Sequence, residues 1–174
     1  MLQQAERNLR TAGIDHVEIV HQDVLDFLDG RPSASADAMF CVGFLHHLRE
    51  HGIAQVVSEA SRVLRPGGSL LVSEPRRIDL ARVPREIAEW NATSIAARVT
   101  YSRHADAPDE EPIEEKRLLE LLREKGMTVD YVSHHWEIYP RTLPVSEPEK
   151  KQIVEMHRRY GSLDGNCVTV VARA

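Results

Sequence analysis

Two histidines and one glutamate follow apolar runs in this sequence. His46 and His47 come shortly after the run 38–43, and Glu74 ends the run 69–74 directly before a proline. An imidazole titrates near neutral pH, so either histidine could act as a general base on a substrate. A histidine pair after a strand is equally compatible with packing and hydrogen bonding, so both interpretations stay open at this point.

A five-residue pattern in the same region is that of some metalloproteases. Residues 47–51 read His-Leu-Arg-Glu-His, which matches H-x-x-E-H, the inverted zinc-protease signature. The match straddles a predicted loop-to-helix junction, and a chain with nine histidines produces such a match easily by chance. We therefore predict no metal site, and a zinc hydrolase that uses His47, Glu50 and His51 is a remote alternative.

Apolar periodicity predicts the elements that position these side chains. Strands are predicted at 17–23, 38–42, 69–74, 129–136 and 167–172. Helices are predicted at 2–12, 52–64, 113–125 and, more weakly, 147–159. The helical pattern of Val83, Ile87 and Trp90 is expected to pack in the core. Strands that alternate with helices on short loops are typical of crossover units with parallel strands, so the sequence predicts an α/β fold. The last two strands are expected to pair antiparallel.

The turn Arg65-Pro66-Gly67-Gly68 separates a predicted helix from the strand that carries Glu74. Proline cannot continue a helix, and glycine adopts backbone angles that other residues resist. The chain can therefore reverse tightly here and deliver strand 69–74 parallel to strand 38–42.

Composition fits one domain of an ordinary globular protein. The chain has 174 residues, of which 42% are hydrophobic, and this is enough for one core. A formal charge of −5 gives no field that attracts nucleic acid or an anionic membrane, and the basic doublet 76–77 is predicted to be solvated surface. No stretch reaches transmembrane length. Cys41 and Cys167 lie in apolar runs, which is typical of buried thiols in a cytoplasmic protein.

Three segments, taken in this order and at these spacings, resemble a known family. They are VEIVHQDV (17–24), ADAMFCVGFLHHL (36–48) and EASRVLRPGGSLLVSEP (59–75). The combination is similar to the class I S-adenosylmethionine-dependent methyltransferases, most of all to their small-molecule branch. The resemblance implies a Rossmann-like methyltransferase fold, with a mostly parallel sheet and an antiparallel edge. It implies a single domain, 1–174, in which 76–112 is a substrate-side insertion or lid.

The resemblance also implies a reaction and its site. The cofactor would be S-adenosylmethionine, and the methyl group would go to a small-molecule acceptor. Asp23 would accept from the adenine amino group, and the amide of Val24 would face the ring. The methionine end would be lined by Cys41, Val42, Gly43, Leu45 and His46. The candidate catalytic residues are His46, His47 and Glu74. Of these, Glu74 would lie where the acceptor approaches. On the sequence alone a cap of the turn that follows is the favoured role of Asp23, and it is the flanking family pattern that favours the cofactor role.

One motif of the family is absent from the sequence. Family members hold the cofactor with a glycine-rich loop, an acidic residue followed by G-x-G, but no two of the nine glycines here are separated by a single residue.

In the family the strand order is 3-2-1-4-5-7-6, so 17–23 would be the third strand and 38–42 the fourth, with a gap between them. Strand 17–23 could shift to close the gap, a second copy of the chain could fill it as a homodimer, or upstream sequence could complete the sheet. We expect the last of these, a fold that is N-terminally incomplete, and very weak cofactor binding by the 174 residues alone.

A non-catalytic module is the alternative from another functional class. A methyltransferase-like fold without the cofactor loop could serve as a binding or regulatory partner, and the missing loop is the best support for this alternative. The strand-end residues would then have no function, which favours an enzyme. The expected partner is a small-molecule acceptor, and neither nucleic acid nor membrane is expected.

Overall fold

The computed structural model of this protein describes residues 2–90, 111–136, 138, 144–161 and 163–174. The helices are α1 (Leu2–Thr11), α2 (Val24–Asp29), α3 (Glu50–Val63), α4 (Arg85–Trp90), α5 (Glu115–Glu124) and α6 (Glu147–Tyr160). The strands are β1 (Ala36–Val42), β2 (Leu64–Pro75), β3 (Thr128–His135) and β4 (Cys167–Arg173). The predicted α/β class is confirmed. Within the described ranges no helix has the length and apolar character needed to cross a membrane.

The four described strands form one sheet in the order β1-β2-β4-β3. β1 is parallel to β2, whereas β4 is antiparallel to both β2 and β3. Three of these four strands therefore run in one direction, and the predicted antiparallel pairing of the last two strands is confirmed. The carboxyl ends of β1, β2 and β3 lie at the same edge of the sheet.

The predicted strand at 17–23 is wrong, because residues 14–23 form neither a helix nor a strand. Two of its apolar side chains face solvent: Val17 is 48% exposed and Val20 is 38% exposed. A strand is held by hydrogen bonds to a neighbouring strand, and within the described sheet β1 pairs with β2 alone. Alternating apolar residues without a pairing partner do not make a strand.

The Arg-Pro-Gly-Gly turn has the predicted effect on the chain. α3 ends at Val63 and the chain passes directly into β2, with an irregularity in the register of β1 and β2 at this point. Gly67 has φ +82, in the left-handed region that favours glycine. A Cβ at Gly68 would lie 2.9 Å from the carbonyl oxygen of Arg65. A larger residue at position 68 would therefore force the turn open.

The buried hydrophobic side chains of the described residues form two clusters. In the main core, α3 and α5 pack against the sheet, and its buried members include Val56, Leu70, Leu122 and Val170. The smaller cluster consists of Ile87, Trp90, Trp136, Ile138 and Met156, with Val83 packed against it. The expected core role of the Val83, Ile87 and Trp90 stripe is confirmed, in the smaller cluster rather than in the main core.

Candidate active site

The chain turns sharply at the carboxyl end of β1. Val42 pairs with Ser73 of β2, and the amide of Gly43 donates to the carbonyl of Ser73 over 2.9 Å. Gly43 has φ +58, and a Cβ placed there would meet nothing within 4 Å. The chain then forms a short 3-10 turn, Leu45–His47. This turn brings His46 beside the end of β2.

Glu74 organises this edge of the sheet. Its side chain is buried, and Oε1 accepts hydrogen bonds from the backbone amides of Phe44 and Leu45, each over 2.8 Å. Its other carboxylate oxygen, Oε2, lies 2.8 Å from Nδ1 of His46. A buried carboxylate is tolerated only where such partners replace water. Glu74 therefore fixes both the turn after β1 and the ring of His46.

His46 is the second member of this buried pair. An ionised Glu74 carboxylate can only accept, and Nδ1 of His46 is then the donor in this contact. A neutral imidazole that donates from Nδ1 carries its lone pair on Nε2. Within the described part of the chain, Nε2 has no hydrogen-bond partner. The pair thus holds a buried nitrogen whose lone pair these residues leave unused.

His47 lies next to the pair without joining it. The centroids of the His46 and His47 rings are 4.1 Å apart, with 38° between the ring planes. His47 is exposed and lines a neighbouring cavity. Of the three candidate catalytic residues, the structure brings His46 and Glu74 into direct contact and leaves His47 at the surface beside them.

The thiol of Cys41 is kept protonated by its surroundings. Burial, and to a smaller extent the charge of Glu74, raises the pKa of Cys41 from its ordinary value of 9.0 to about 12. The residue is 3% exposed and belongs to the main core. A protonated, inaccessible thiol is a poor nucleophile, so the side chain of Cys41 serves packing.

The other residues implied for the cofactor are divided between surface and core. Asp23 caps α2, since its Oδ1 accepts from the backbone amide two residues further on over 2.8 Å, and Val24 is the first residue of that helix. The capping role that the sequence left open for Asp23 is therefore confirmed. Val42 is 63% exposed and Gly43 is also exposed, whereas Leu45 is fully buried.

The H-x-x-E-H match does not lie on one helix. His47 ends the 3-10 turn, and Glu50 and His51 begin α3. The pattern thus straddles two elements, as its position in the sequence indicated. Across the described ranges, no group of three or more His, Cys, Asp or Glu side chains could hold a metal ion.

The prediction of solvated surface for the basic doublet 76–77 is wrong for its first residue. The side chain of Arg77 is 60% exposed but that of Arg76 only 11%. Arg76 donates to the carbonyl of Gly165 over 2.8 Å and to Glu115 over 3.1 Å, and it also pairs with Asp164. Arg76 thereby ties the end of β2 to α5 and to the loop before β4. A doublet gives no signal of which arginine turns inward.

Residues 1–68 match a family model described as a methyltransferase domain. Their range ends within the Arg-Pro-Gly-Gly turn and therefore includes the His46 turn and α3. No curated protein matches the chain.

Several solved structures share the fold of this chain. A methyltransferase from Archaeoglobus fulgidus that depends on S-adenosylmethionine has a TM-score of 0.53 at 13% identity, over 91% of this chain and 68% of that protein. A geranyl diphosphate methyltransferase solved with S-adenosylmethionine has a TM-score of 0.58 at 19% identity, over 99% of this chain and 65% of that protein. The 4+2 cyclase SpnF has a TM-score of 0.57 at 19% identity, over 97% of this chain and 61% of that protein. The chain thus spans about two thirds of the length of each.

Identities this low establish the fold and not the reaction. The match of residues 1–68 adds the sequence pattern that includes the turn holding His46. The chain therefore has the fold of the S-adenosylmethionine-dependent methyltransferases, and its first 68 residues carry the pattern of a methyltransferase domain.

Proposed function

We propose that this protein transfers a methyl group from S-adenosylmethionine to a small-molecule acceptor. The observation that carries the proposal is the buried pair of Glu74 and His46, in which Oε2 lies 2.8 Å from Nδ1. Open α/β sheets bind their ligands outside the carboxyl ends of the strands, and the pair is held at that edge. The methyltransferase-domain match of residues 1–68 supports the same reaction.

The residues implied for S-adenosylmethionine fit this edge in part. Val42 and Gly43 are exposed at the end of β1, and no atom would approach a Cβ at Gly43 within 4 Å, so the backbone there is open to a ligand. Asp23 is also exposed, which leaves its carboxylate accessible to an amino group. These residues would hold the adenine and methionine ends of the cofactor. The sequence contains no G-x-G loop that could assist these residues.

The chemistry assigns a task to each member of the pair. The cofactor, when bound, supplies a methyl group on a sulfonium, and its transfer needs chiefly proximity and alignment. An acceptor hydroxyl or ammonium must also lose a proton, and Nε2 of His46 is the basic atom available to take it. The negative charge of Glu74 would then stabilise the imidazolium. We infer an acceptor whose nucleophile is an oxygen or nitrogen that carries a proton.

Segment 76–112 is proposed as the substrate-side insertion of this single domain. Its described ends meet at the catalytic edge: the amide of Arg77 donates to the carbonyl of Ile113, and the amide of Ile113 to the carbonyl of Pro75, each over 3.0 Å. The amide of Glu111 donates to the carbonyl of His46 over 2.9 Å. These bonds hold both described ends of the segment beside the turn of His46.

Calorimetric titration and a methyl-transfer screen test the proposal together. S-adenosylmethionine is titrated into the 174-residue chain and into a chain extended upstream through the reading frame. We expect very weak binding or none by the 174 residues alone, which contain no G-x-G, and micromolar binding by an extended chain that does contain this loop. The screen offers hydroxy, amino and carboxylate acceptors and follows the formation of S-adenosylhomocysteine. Absence of cofactor binding by both chains would contradict the proposal.

A non-catalytic binding module is the second candidate, and one observation favours it. Glu74 holds the amides of Phe44 and Leu45, a structural task that needs no reaction. The cyclase among the similar structures also indicates that the fold alone does not decide the chemistry. Cofactor binding without transfer to any acceptor would favour this candidate.

A further inference from the structure

A cavity of about 710 Å³ opens beside the catalytic pair, between the first turns of α3 and α5 and the segment 111–114. Its apolar lining is formed by Leu48, Ile53, Ile113, Leu118 and Leu121. Small-molecule sites typically measure about 300–1,000 Å³ and combine an apolar lining with a few polar groups. The cavity therefore has the size and the lining of a site for a small apolar molecule.

Charged side chains surround the opening of this cavity, and most of them are already paired. Arg117 lies 2.8 Å from Glu50 and 3.0 Å from Glu124. Arg77 lies 3.7 Å from Glu114.

Two further charged residues, Glu111 and Arg49, line the cavity. Glu111 makes a further contact of its own, whereas Arg49 forms no ion pair with any residue that the structure describes. The charge left available to a ligand is therefore the guanidinium of Arg49.

The cavity is physically continuous with the turn that holds His46. His47 lines the cavity, and its ring centroid is 4.1 Å from that of His46. Glu111 also lines it, and its amide donates to the carbonyl of His46 over 2.9 Å. A molecule in the cavity would lie against His47, beside the turn that holds His46.

We propose that this cavity binds the apolar body of the methyl acceptor and that the acceptor carries an anionic group, a carboxylate or phosphate, which pairs with Arg49. The inference rests on the proposed function, because it identifies the cavity occupant as the acceptor. Guanidinium recognises planar and tetrahedral oxyanions through paired N–H donors, which neither an alcohol nor an ammonium group can exploit equally. The cavity thus selects for an amphipathic acid.

Calorimetric titration of the full chain with four ten-carbon probes tests this selectivity without requiring the cofactor. The probes are decanoate, decyl phosphate, decan-1-ol and decylammonium, each below its aggregation limit. We expect the two anions to bind about tenfold more tightly than the alcohol and the ammonium, which corresponds to one good charge-assisted interaction. Comparison of the two anions identifies which oxyanion the site prefers.

Three variants locate the binding. Arg49→Gln should remove the preference for the anions, whereas Arg123→Gln, at the far end of α5, should leave it intact. Ile53→Phe fills the cavity and should weaken all four probes together. Equal affinity for all probes, or an anion preference that survives Arg49→Gln, would overturn the inference. The readout is binding alone, so a failure of methyl transfer with intact, Arg49-dependent anion binding would count against the proposed reaction and not against the cavity.

Discussion

Oε2 of Glu74 lies 2.8 Å from Nδ1 of His46, although 28 residues separate the two along the chain. Both side chains are fully buried. The parallel pairing of β1 and β2 creates this contact, because it brings the ends of the two strands to the same edge. A short turn after β1 then places His46 against the last residues of β2. The same contact sets the tautomer of His46 and fixes the turn that precedes it.

Replacement of Glu74 by glutamine should destabilise the protein and slow the reaction. The glutamine side chain has one acceptor oxygen. The two carboxylate oxygens of Glu74 contact three groups, the backbone N–H groups of Phe44 and Leu45 and Nδ1 of His46. A buried donor that loses its acceptor costs about 1–3 kcal/mol, and the substitution leaves at least one of these three donors without one. Urea denaturation should therefore show a loss in the free energy of unfolding of this order. Glu114→Gln, which removes only an exposed carboxylate 3.7 Å from Arg77, is the control and should change stability little.

Stability should fall at alkaline pH because of Cys41. The folded thiol ionises only near pH 12, whereas the unfolded thiol ionises from about pH 9. The unfolded state therefore loses a proton that the folded state keeps, and stability falls as pH rises from 9 towards 12, by at most about 1.4 kcal/mol per pH unit. Denaturation curves collected between pH 8 and 11 measure this slope. Cys41→Ala should reduce the slope, and an unchanged slope would mean that Cys41 is not its source.

Gly165 should tolerate no side chain. A Cβ at this position would overlap the carbonyl of His135 and lie 2.6 Å from the amide nitrogen of Trp136. Both obstacles are backbone atoms, so Gly165→Ala must displace β3 or β4, and we expect a loss of about 3 kcal/mol or more in the free energy of unfolding. Gly13→Ala is the matched control. Gly13 has φ +67 and open space around it, so its substitution should cost only about 1 kcal/mol of backbone strain. Equal stability of the two variants would contradict the packing described here.

Arg76 and Arg77 should differ in their contribution to stability although they are neighbours. Arg76→Gln removes the charge partner of Glu115 and Asp164 from a site where the arginine side chain is 11% exposed. Loss of hydrogen bonds to charged groups in such a site costs about 1.5–3 kcal/mol. Arg77→Gln removes an arginine that is 60% exposed and should have little effect. Thermal unfolding of the two variants, compared in parallel, measures the difference.

Much of the fold could be predicted because buried strands and amphipathic helices have distinct apolar periods. The strands that contain Cys41, Glu74 and Val170, and the turn at Gly67, were all indicated by local patterns. The strand expected around Val17 does not form. Alternation of apolar and polar residues indicates that a segment could be a strand, but it does not show that a neighbouring strand is there to pair with it. Local patterns also failed at Arg76, whose burial depends on acids 39 and 88 residues away.

The candidate site was predictable only in its parts. Leu-His-His after one strand and Glu-Pro after another marked His46, His47 and Glu74 as candidates. The sequence could not say which histidine meets Glu74, because that depends on the single 3-10 turn after Gly43. The cavity beside Arg49 combines the start of α3 with that of α5, more than 60 residues apart, and no local pattern reveals such a juxtaposition.

The rate of methyl transfer by His46→Gln shows whether His46 takes the proton of the acceptor. The assay uses tritium-labelled S-adenosylmethionine, an acceptor found in the screen, and the form of the protein that binds the cofactor in the titration. A positioned general base contributes about 100-fold to 10,000-fold, so kcat should fall by at least about 100-fold at saturating cofactor. His47→Gln, which alters only the exposed neighbour, should reduce kcat far less. A His46→Gln variant with the kcat of the wild type would contradict the account, because the buried pair would then hold the turn and take no part in the reaction.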